Sequence, residues 1–147
     1  MTETEFRAKH SELIAYYQYI ESHLKGLWAD FFINEDNDVW FVDAWAEKRK
    51  ERQSDSLWML IKKLKDLQEE KNVLLLCQED FDSLTALRKT RNYWVHECFG
   101  GDDPIVFRDG KLRRLEYAEK LCSDLDDAIA WDDKLARVAR ALRNRLT

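Results

Sequence analysis

The sequence predicts an all-α protein, an up-and-down bundle of four to five helices in which the first and last helices are long. Three observations support this fold class. The 147 residues include one proline and four glycines, the residues that β-turns and sandwich corners need. Long segments repeat apolar side chains every three or four residues, as one face of an α-helix requires. The length fits one domain, residues 1–147, and no linker or internal repeat divides it.

The first helix is expected from about Thr4 to Phe32, and the polar run 34–38 ends it. A stripe this long needs a partner helix along its whole length. Residues 38–50 are expected to form either a short helix or an ordered, aromatic-rich connection. The stripe of the first helix consists of residues three and four apart: Phe6, His10, Leu13, Tyr17, Ile20, Leu24, Leu27 and Phe31.

The second helix is expected to start after Ser54 or Asp55, because both residue types are good N-caps. Its apolar residues follow helical spacing until the helix ends near Asn72. The apolar run 73–76 then fits either a buried connector or a strand-like segment. No second strand is expected to pair with it, which favours the connector.

The third helix is expected from about residue 79, where acidic side chains suit a helix N-terminus, to the glycine pair 100–101. Pro104 just beyond that pair supports the ending. Residues 105–110 are expected to be a loop or a short extended stretch. The final helix is expected from about Leu112 to Leu146, with an apolar side facing the bundle.

Composition excludes several classes of function. The net charge of −5 argues against a generic nucleic-acid binder, so any RNA contact needs a small, locally basic site. The three cysteines form no C-x-x-C pair, so neither a structural zinc site nor a disulfide framework is expected. The acidic N-terminus lacks a signal peptide's apolar stretch, and no run approaches the ~20 apolar residues of a membrane span. A soluble, cytoplasmic protein without membrane partners is expected.

One residue of the third helix does not fit its surroundings. On a helical wheel, Arg91 falls in the middle of an otherwise apolar face. Burying an unpartnered guanidinium there costs several kcal/mol, on the order given for a lone buried charge. Arg91 must therefore meet an acid, a cavity or an anionic ligand. The apolar face comprises Phe81, Leu84, Leu87, Trp94, Val95, Cys98 and Phe99.

A polar ridge lies beside Arg91 on the same helix. Arg88, Asn92 and His96 are four residues apart, which places them one above the other. Arg91 and His96 are five apart, and an ideal helix turns such residues away from each other. Only the length of the arginine, or a second copy of the site, then brings both heads to one substrate.

These residue types suit RNA cleavage without a metal or cofactor. A neutral imidazole such as that of His96 can take the proton from a ribose 2′-OH. The fork of Arg91 can bind phosphate oxygens, and Asn92 can hold the histidine or the phosphate. Any one Arg-to-His spacing is expected by chance roughly 0.24 times in this composition. Requiring Asn after the Arg lowers that to roughly 0.008.

The stretch Leu87–Phe99 resembles the signature helix of HEPN domains, in which Arg and a polar residue precede His by a short spacing. The resemblance implies one HEPN-like helical bundle over residues 1–147. It implies a homodimer with a composite active site formed by two motifs. It also implies a metal-independent endoribonuclease acting on RNA, as the toxin or effector of a toxin–antitoxin or phage-defence system. Carried over, Arg91 and His96 are the catalytic pair, and Asn92 is catalytic at the polar second position. Arg88, one turn before Asn92 on the ridge, is expected to bind substrate.

One position departs from part of the family. Some HEPN toxins carry a tyrosine two residues after the His, which a partner antitoxin modifies, whereas this chain has Cys98. That departure puts control by such an antitoxin protein in doubt.

Other interpretations of the motif stay open. Arg91 can pair with an acid of another helix, and the domain is then a catalytically inactive interaction or nucleotide-binding module. Among the remaining histidines, His10 is expected in the core or a dimer interface with its ring satisfied, and His23 at the surface. The tryptophans are expected mostly in the core: Trp28, Trp40, Trp45 and Trp58.

Overall fold

The computed structural model describes residues 1–36 and 41–144, and the chain is an all-α helical bundle in which 77% of residues are helical. The expectations for Trp40 and for the chain end near Leu146 lie outside the described residues. Five α-helices follow in order: α1 Glu3–Asp36, α2 Phe41–Glu51, α3 Leu57–Glu70, α4 Gln78–Asn92 and α5 Leu115–Asn144. The predicted fold class, with long first and last helices, is confirmed.

The two long helices α1 and α5 run parallel and form the main packing pair of the bundle. His23 Nε2 lies 2.9 Å from Asp132 Oδ1, and further along Arg143 Nε lies 3.4 Å from Asp30 Oδ1. Residue numbers therefore rise together on both helices, as an up-and-down bundle with an odd number of helices requires. His23, expected at the surface, is half-buried because of this contact.

The core lies along α1 and continues between the other helices. Every apolar residue of the predicted α1 stripe is fully buried, and His10 is half-buried at its edge. Burial of such side chains contributes about 1.5–3 kcal/mol each, which is the main stabilisation of a bundle of this kind. The largest side chains that are fully buried include Trp94, Tyr17, Phe6, Leu13, Ile20, Leu24, Leu57, Leu64 and Leu121.

Helix α3 begins later than expected. Ser56, and neither Ser54 nor Asp55, is its N-cap, because the Ser56 side chain accepts a hydrogen bond from the Met59 backbone N–H at 3.3 Å. The Asp55 carboxylate is instead held by Lys63 at 3.1 Å. A run of three potential caps predicts a helix start only to within two residues.

The connector between α3 and α4 is not a strand, and of its apolar run 73–76 only Leu76 is buried, whereas Leu74 is exposed. The side chain of Gln68 in α3 accepts hydrogen bonds from the backbone N–H groups of Leu75 and Leu76, and it donates to the Leu76 carbonyl. This one buried amide satisfies backbone groups that a strand partner would otherwise have to satisfy. Of the two expected alternatives, the run is a connector, although it is buried only at Leu76 and not throughout.

A two-residue hairpin precedes α5. Strands β1 Phe107–Arg108 and β2 Lys111–Leu112 pair antiparallel, and both turn residues have positive φ, 52° at Asp109 and 72° at Gly110. Such angles define the type I′ turn that hairpins prefer. The expected start of the last helix at Leu112 is wrong, because Leu112 is paired in this hairpin. Among the described residues, no helix has the length and apolar character that crossing a membrane requires.

Candidate functional site

Helix α4 carries the motif and is anchored at its first turn. The Asp80 carboxylate accepts a hydrogen bond from the Cys77 backbone N–H at 3.0 Å and a second from Lys134 of α5. Partial burial acts against the charged carboxylate, but these hydrogen bonds outweigh it and hold the pKa of Asp80 below its usual range. The start of α4 is therefore both capped and tied to α5.

The C-terminal end of α4 widens into a π turn, Tyr93–Glu97, closed by a 2.9 Å hydrogen bond from the Cys98 N–H to the Tyr93 carbonyl. The carbonyl of Trp94 leaves the helical ladder and accepts from His10 Nε2 at 2.8 Å instead. Since a carbonyl can only accept, this ring nitrogen of His10 carries the proton. His10 therefore has the satisfied ring expected for it, and it holds the π turn against α1.

Arg91 meets an acid, one of the three outcomes that its position required. Its guanidinium lies 3.1 Å from Glu21 Oε1 of α1 and also donates to Asn92 Oδ1 at 3.3 Å. The side chains of Arg91 and Glu21 are 27% and 19% exposed, so the pair is half-buried and open on one side. The guanidinium has five N–H donors, and these two contacts leave others for a further partner.

The structure separates the predicted site residues into two groups. Arg91 and Asn92 touch each other, whereas His96 is exposed on the π turn. In the part of the chain described here, no hydrogen bond or ion pair joins Arg91 to His96. Arg88 lies with its guanidinium carbon 5.9 Å from the ring centre of Trp58 in α3. The motif is therefore spread along one ridge and is not a closed cluster within one copy.

The π turn changes the geometry that the sequence predicts for Arg91 and His96. Five residues of an ideal α-helix rotate the chain so that the two positions point about 140° apart. A π turn closes its hydrogen bond over five residues, so each residue contributes less rotation. Three of the five steps between Arg91 and His96 lie in this wider segment. The two side chains therefore lie nearer to one face than ideal geometry allows.

Two neighbouring groups are chemically inert at neutral pH. Burial, and then the carboxylates of Asp124 and Asp127, raise the pKa of Tyr17 beyond its usual range, although Arg91 acts in the opposite direction. Burial also raises the pKa of the Cys98 thiol, which is only 2% exposed. A thiol in this state is neither a nucleophile nor accessible to a modifying partner.

A groove of about 340 Å³ separates α4 from α5. Its charged lining is acidic, with Asp124 and Asp127 on α5, while α4 contributes small and apolar side chains. Asp124 accepts hydrogen bonds from Trp94 Nε1 at 2.7 Å and from Lys120 at 3.1 Å. This groove repels phosphate, so it does not suit an RNA backbone. Its lining is Ser83, Ala86, Leu87, Thr90, Asp124, Asp127, Ala130 and Trp131.

A second, smaller groove of about 170 Å³ lies on the other side of α4, against α3. Its rim carries Trp58, which is 45% exposed, so the expectation of Trp58 in the core is wrong. Trp28 and Trp45 are half-buried. Sequence reasoning missed this groove, although one signal was present: Trp58 follows the stripe residue Leu57 directly and so lies about 100° off that stripe.

Comparison with protein-family models, with curated proteins and with solved structures gives no match to this chain. The HEPN resemblance therefore rests on the residues around Arg91 and His96. Among the described residues, no three His, Cys, Asp or Glu side chains form a group that holds a metal ion.

Proposed function

We propose that this chain is a metal-independent endoribonuclease of the HEPN type, which acts as a homodimer. The observation that carries the proposal is the Arg91-Asn92-x-x-x-His96 motif at the end of α4, where a π turn exposes His96 and rotates it toward Arg91. π turns inside helices occur frequently at functional sites. The proposal extends to a cytoplasmic toxin or effector of a toxin–antitoxin or phage-defence system.

The chemistry assigned to each residue follows from its protonation and charge. The His96 imidazole takes the proton of a ribose 2′-OH, and the 2′-oxygen attacks the adjacent phosphorus. The bond from phosphorus to the 5′-oxygen breaks, and that oxygen takes a proton from the imidazolium of the second motif. Arg91 binds the non-bridging oxygens and stabilises their added charge. The products are a 2′,3′-cyclic phosphate and a 5′-OH.

The geometry within one copy supports the dimeric part of the proposal. Arg91 is held toward α1 by Glu21, whereas His96 is exposed. Among the described residues, no hydrogen bond or ion pair joins His96 to Arg91. A second copy supplies the acid for the leaving oxygen and a second arginine beside the phosphate. The proposed active site is therefore composite.

A second candidate function is favoured by one observation, the ion pair between Arg91 and Glu21. A carboxylate beside the guanidinium competes with phosphate, so the pair suits a structural role. In that case the domain is a catalytically inactive interaction or nucleotide-binding module. The two candidates differ in cleavage and in the stability of one variant.

Cleavage of a mixed-sequence RNA in the presence of EDTA tests the first candidate. Wild-type protein should cut, and Arg91→Ala and His96→Ala should each lose at least about 100-fold in rate, as removal of a general base or charge stabiliser does. Arg140→Ala and His23→Ala are controls of the same residue types and should cut normally. Cleavage that requires added metal, or that survives in His96→Ala, contradicts the proposal.

Thermal and urea unfolding of Arg91→Ala tests the second candidate. If the pair is a partly exposed site contact, the free energy of unfolding should fall by less than about 1 kcal/mol. If the pair is structural, the loss should reach about 3 kcal/mol, because Glu21 is left without its partner. Adding Glu21→Gln to Arg91→Ala removes the stranded charge, so the double variant should regain stability only in the structural case.

A further inference from the structure

We propose that the groove between α3 and α4 is a single-stranded RNA subsite, in which Trp58 stacks a base while Arg88 and Lys62 bind the flanking phosphates. This inference rests on the proposed ribonuclease function and names how its substrate is held. The subsite lies on the side of α4 that faces away from α5.

The first support is the exposure of Trp58 in an otherwise regular amphipathic helix. Its neighbours Leu57, Leu60 and Ile61 are 2–5% exposed, whereas Trp58 is 45% exposed. Core packing therefore does not account for the indole. Single-stranded RNA offers unstacked bases that proteins bind on exposed aromatic rings.

The second support is the charge around the ring. Lys62 Nζ lies 5.3 Å and the Arg88 guanidinium carbon 5.9 Å from the ring centre of Trp58. Within the described ranges, neither cation forms an ion pair with a carboxylate, so both charges remain available to phosphate. Lys65 also lines the groove. The one acid among the lining residues, Asp82, accepts a 2.9 Å hydrogen bond from the Gln78 side chain.

The third support is continuity with the motif. Arg88 belongs to the ridge that continues through Asn92 to His96. Eight residues of helix separate Arg88 from His96, which corresponds to about 12 Å along the axis. A single strand only a few nucleotides long therefore reaches both Trp58 and the proposed catalytic residues.

The groove also supplies the locally basic site that RNA binding by an acidic chain requires. A chain of net charge −5 can bind RNA only at a locally basic site. Lys62 and Lys65 outnumber Asp82, the one acid that lines this groove, and Arg88 lies beside Trp58 at its rim, whereas the α4–α5 groove has only acids among its charged lining residues. A protein partner of mixed charge needs no such excess of cations, so the observations favour RNA.

Binding of a fluorescein-labelled, single-stranded RNA oligonucleotide to full-length His96→Ala protein tests the subsite without cleavage. Trp58→Ala should weaken binding about tenfold or more, since loss of a stacked base reduces affinity by that order. Trp58→Phe should keep most of the affinity, because it retains a ring. Met59→Ala, an exposed neighbour outside the groove, is the matched control and should bind normally.

Salt dependence separates stacking from phosphate binding. Arg88→Ala and Lys62→Ala should each reduce the slope of log affinity against log salt by about 0.7, the value for one phosphate of a single strand. Trp58→Ala should leave that slope unchanged. A smaller slope in Trp58→Ala would instead assign it an effect on charge and overturn the stacking role.

The failures of this subsite and of the proposed function are distinguishable. If wild-type protein cuts RNA and Trp58→Ala binds the oligonucleotide as tightly as its parent, the subsite is overturned and the nuclease stands; the surface then belongs to a protein partner. If the protein binds RNA through Trp58 but never cuts it, the subsite stands and the nuclease falls. If the protein binds no RNA at all, both are overturned.

Discussion

The two sides of α4 differ in how they meet their neighbouring helices. Toward α5, polar side chains bridge the helices: Trp94 donates to Asp124 at 2.7 Å, and Lys134 donates to Asp80. Toward α3, near the motif, the guanidinium of Arg88 lies over the ring of Trp58. The side of α4 that faces α5 is acidic and joined to that helix by hydrogen bonds. The side that faces α3 is exposed and basic.

This difference assigns different roles to residues only one helical step apart. Leu87, Thr90 and Trp94 follow three- and four-residue spacing on the α5 side, while Arg88 and Asn92 are four apart on the other side. The α5 side holds α4 in place through bonds already satisfied within the chain. The α3 side has cations and a ring without comparable bonds, as a binding surface requires.

The largest expected effect is on stability and compares one tryptophan from each side. Trp94→Ala should lower the free energy of unfolding by about 3–5 kcal/mol, because the ring is fully buried and Asp124 loses one of its two donors. Trp58→Ala should lower it by less than about 1 kcal/mol, because nearly half of that ring is exposed. Urea denaturation of both variants measures the difference.

Trp94→Phe separates two contributions of the Trp94 side chain to stability, its buried ring volume and its hydrogen bond to Asp124. It restores most of the ring volume but leaves the Asp124 carboxylate without the indole donor, so it should fall between wild type and Trp94→Ala. Equal losses in Trp58→Ala and Trp94→Ala would contradict the distinction between the two sides.

Much of the bundle was predictable from local spacing. The apolar stripe of α1 predicts its burial, and the glycines at 100–101 predict where the helix after α4 stops. The spacing of apolar residues does not show that Leu112 belongs to a hairpin, although the Asp109-Gly110 pair is a local signal for one, and it does not show that the Leu112 N–H donates to the Met1 carbonyl. Contacts between distant parts of the chain leave no local signal in the sequence.

The candidate site was predictable only as a set of alternatives. The sequence shows that Arg91 requires a partner, but Glu21 lies 70 positions earlier and no spacing identifies it. The π turn was missed because the helical wheel assumes a constant rotation per residue. The hydrogen bond from His10 to the Trp94 carbonyl, which holds this turn against α1, again joins residues far apart in sequence.

A smaller effect on stability is expected from a substitution of Asp80, which caps α4 and bonds Lys134 of α5. Asp80→Ala should lower the free energy of unfolding by about 1–2 kcal/mol at pH 7, since a helix cap and an interhelical bond are both lost. The pKa of Asp80 is lowered in the folded protein, so its contribution is present above the unfolded value of about 3.9. The contribution is lost as the pH falls through the lowered folded value.

The measurement is the difference in unfolding free energy between wild type and Asp80→Ala across pH 2–7. The difference should be constant near neutrality and shrink toward zero in acid. Asp82→Ala, an exposed acid in the same first turns of α4, should change stability far less. A difference that persists unchanged at the lowest pH would show that the charged carboxylate of Asp80 is not what stabilises the contact between α4 and α5.

The smallest expected effect tests whether the acidic side of α4 repels RNA that is proposed to bind at the basic side. Asp127→Asn removes one exposed charge from the α4–α5 groove. RNA affinity should rise about twofold at 0.01 M salt, where charges interact over ~30 Å, and should not change at 0.5 M. Asp126→Asn removes an equal charge one residue away, pointing out of the groove, and should have a weaker effect. Equal gains from both variants would mean that net charge, and not the acidic groove, opposes binding, so the two sides of α4 would then differ in packing alone.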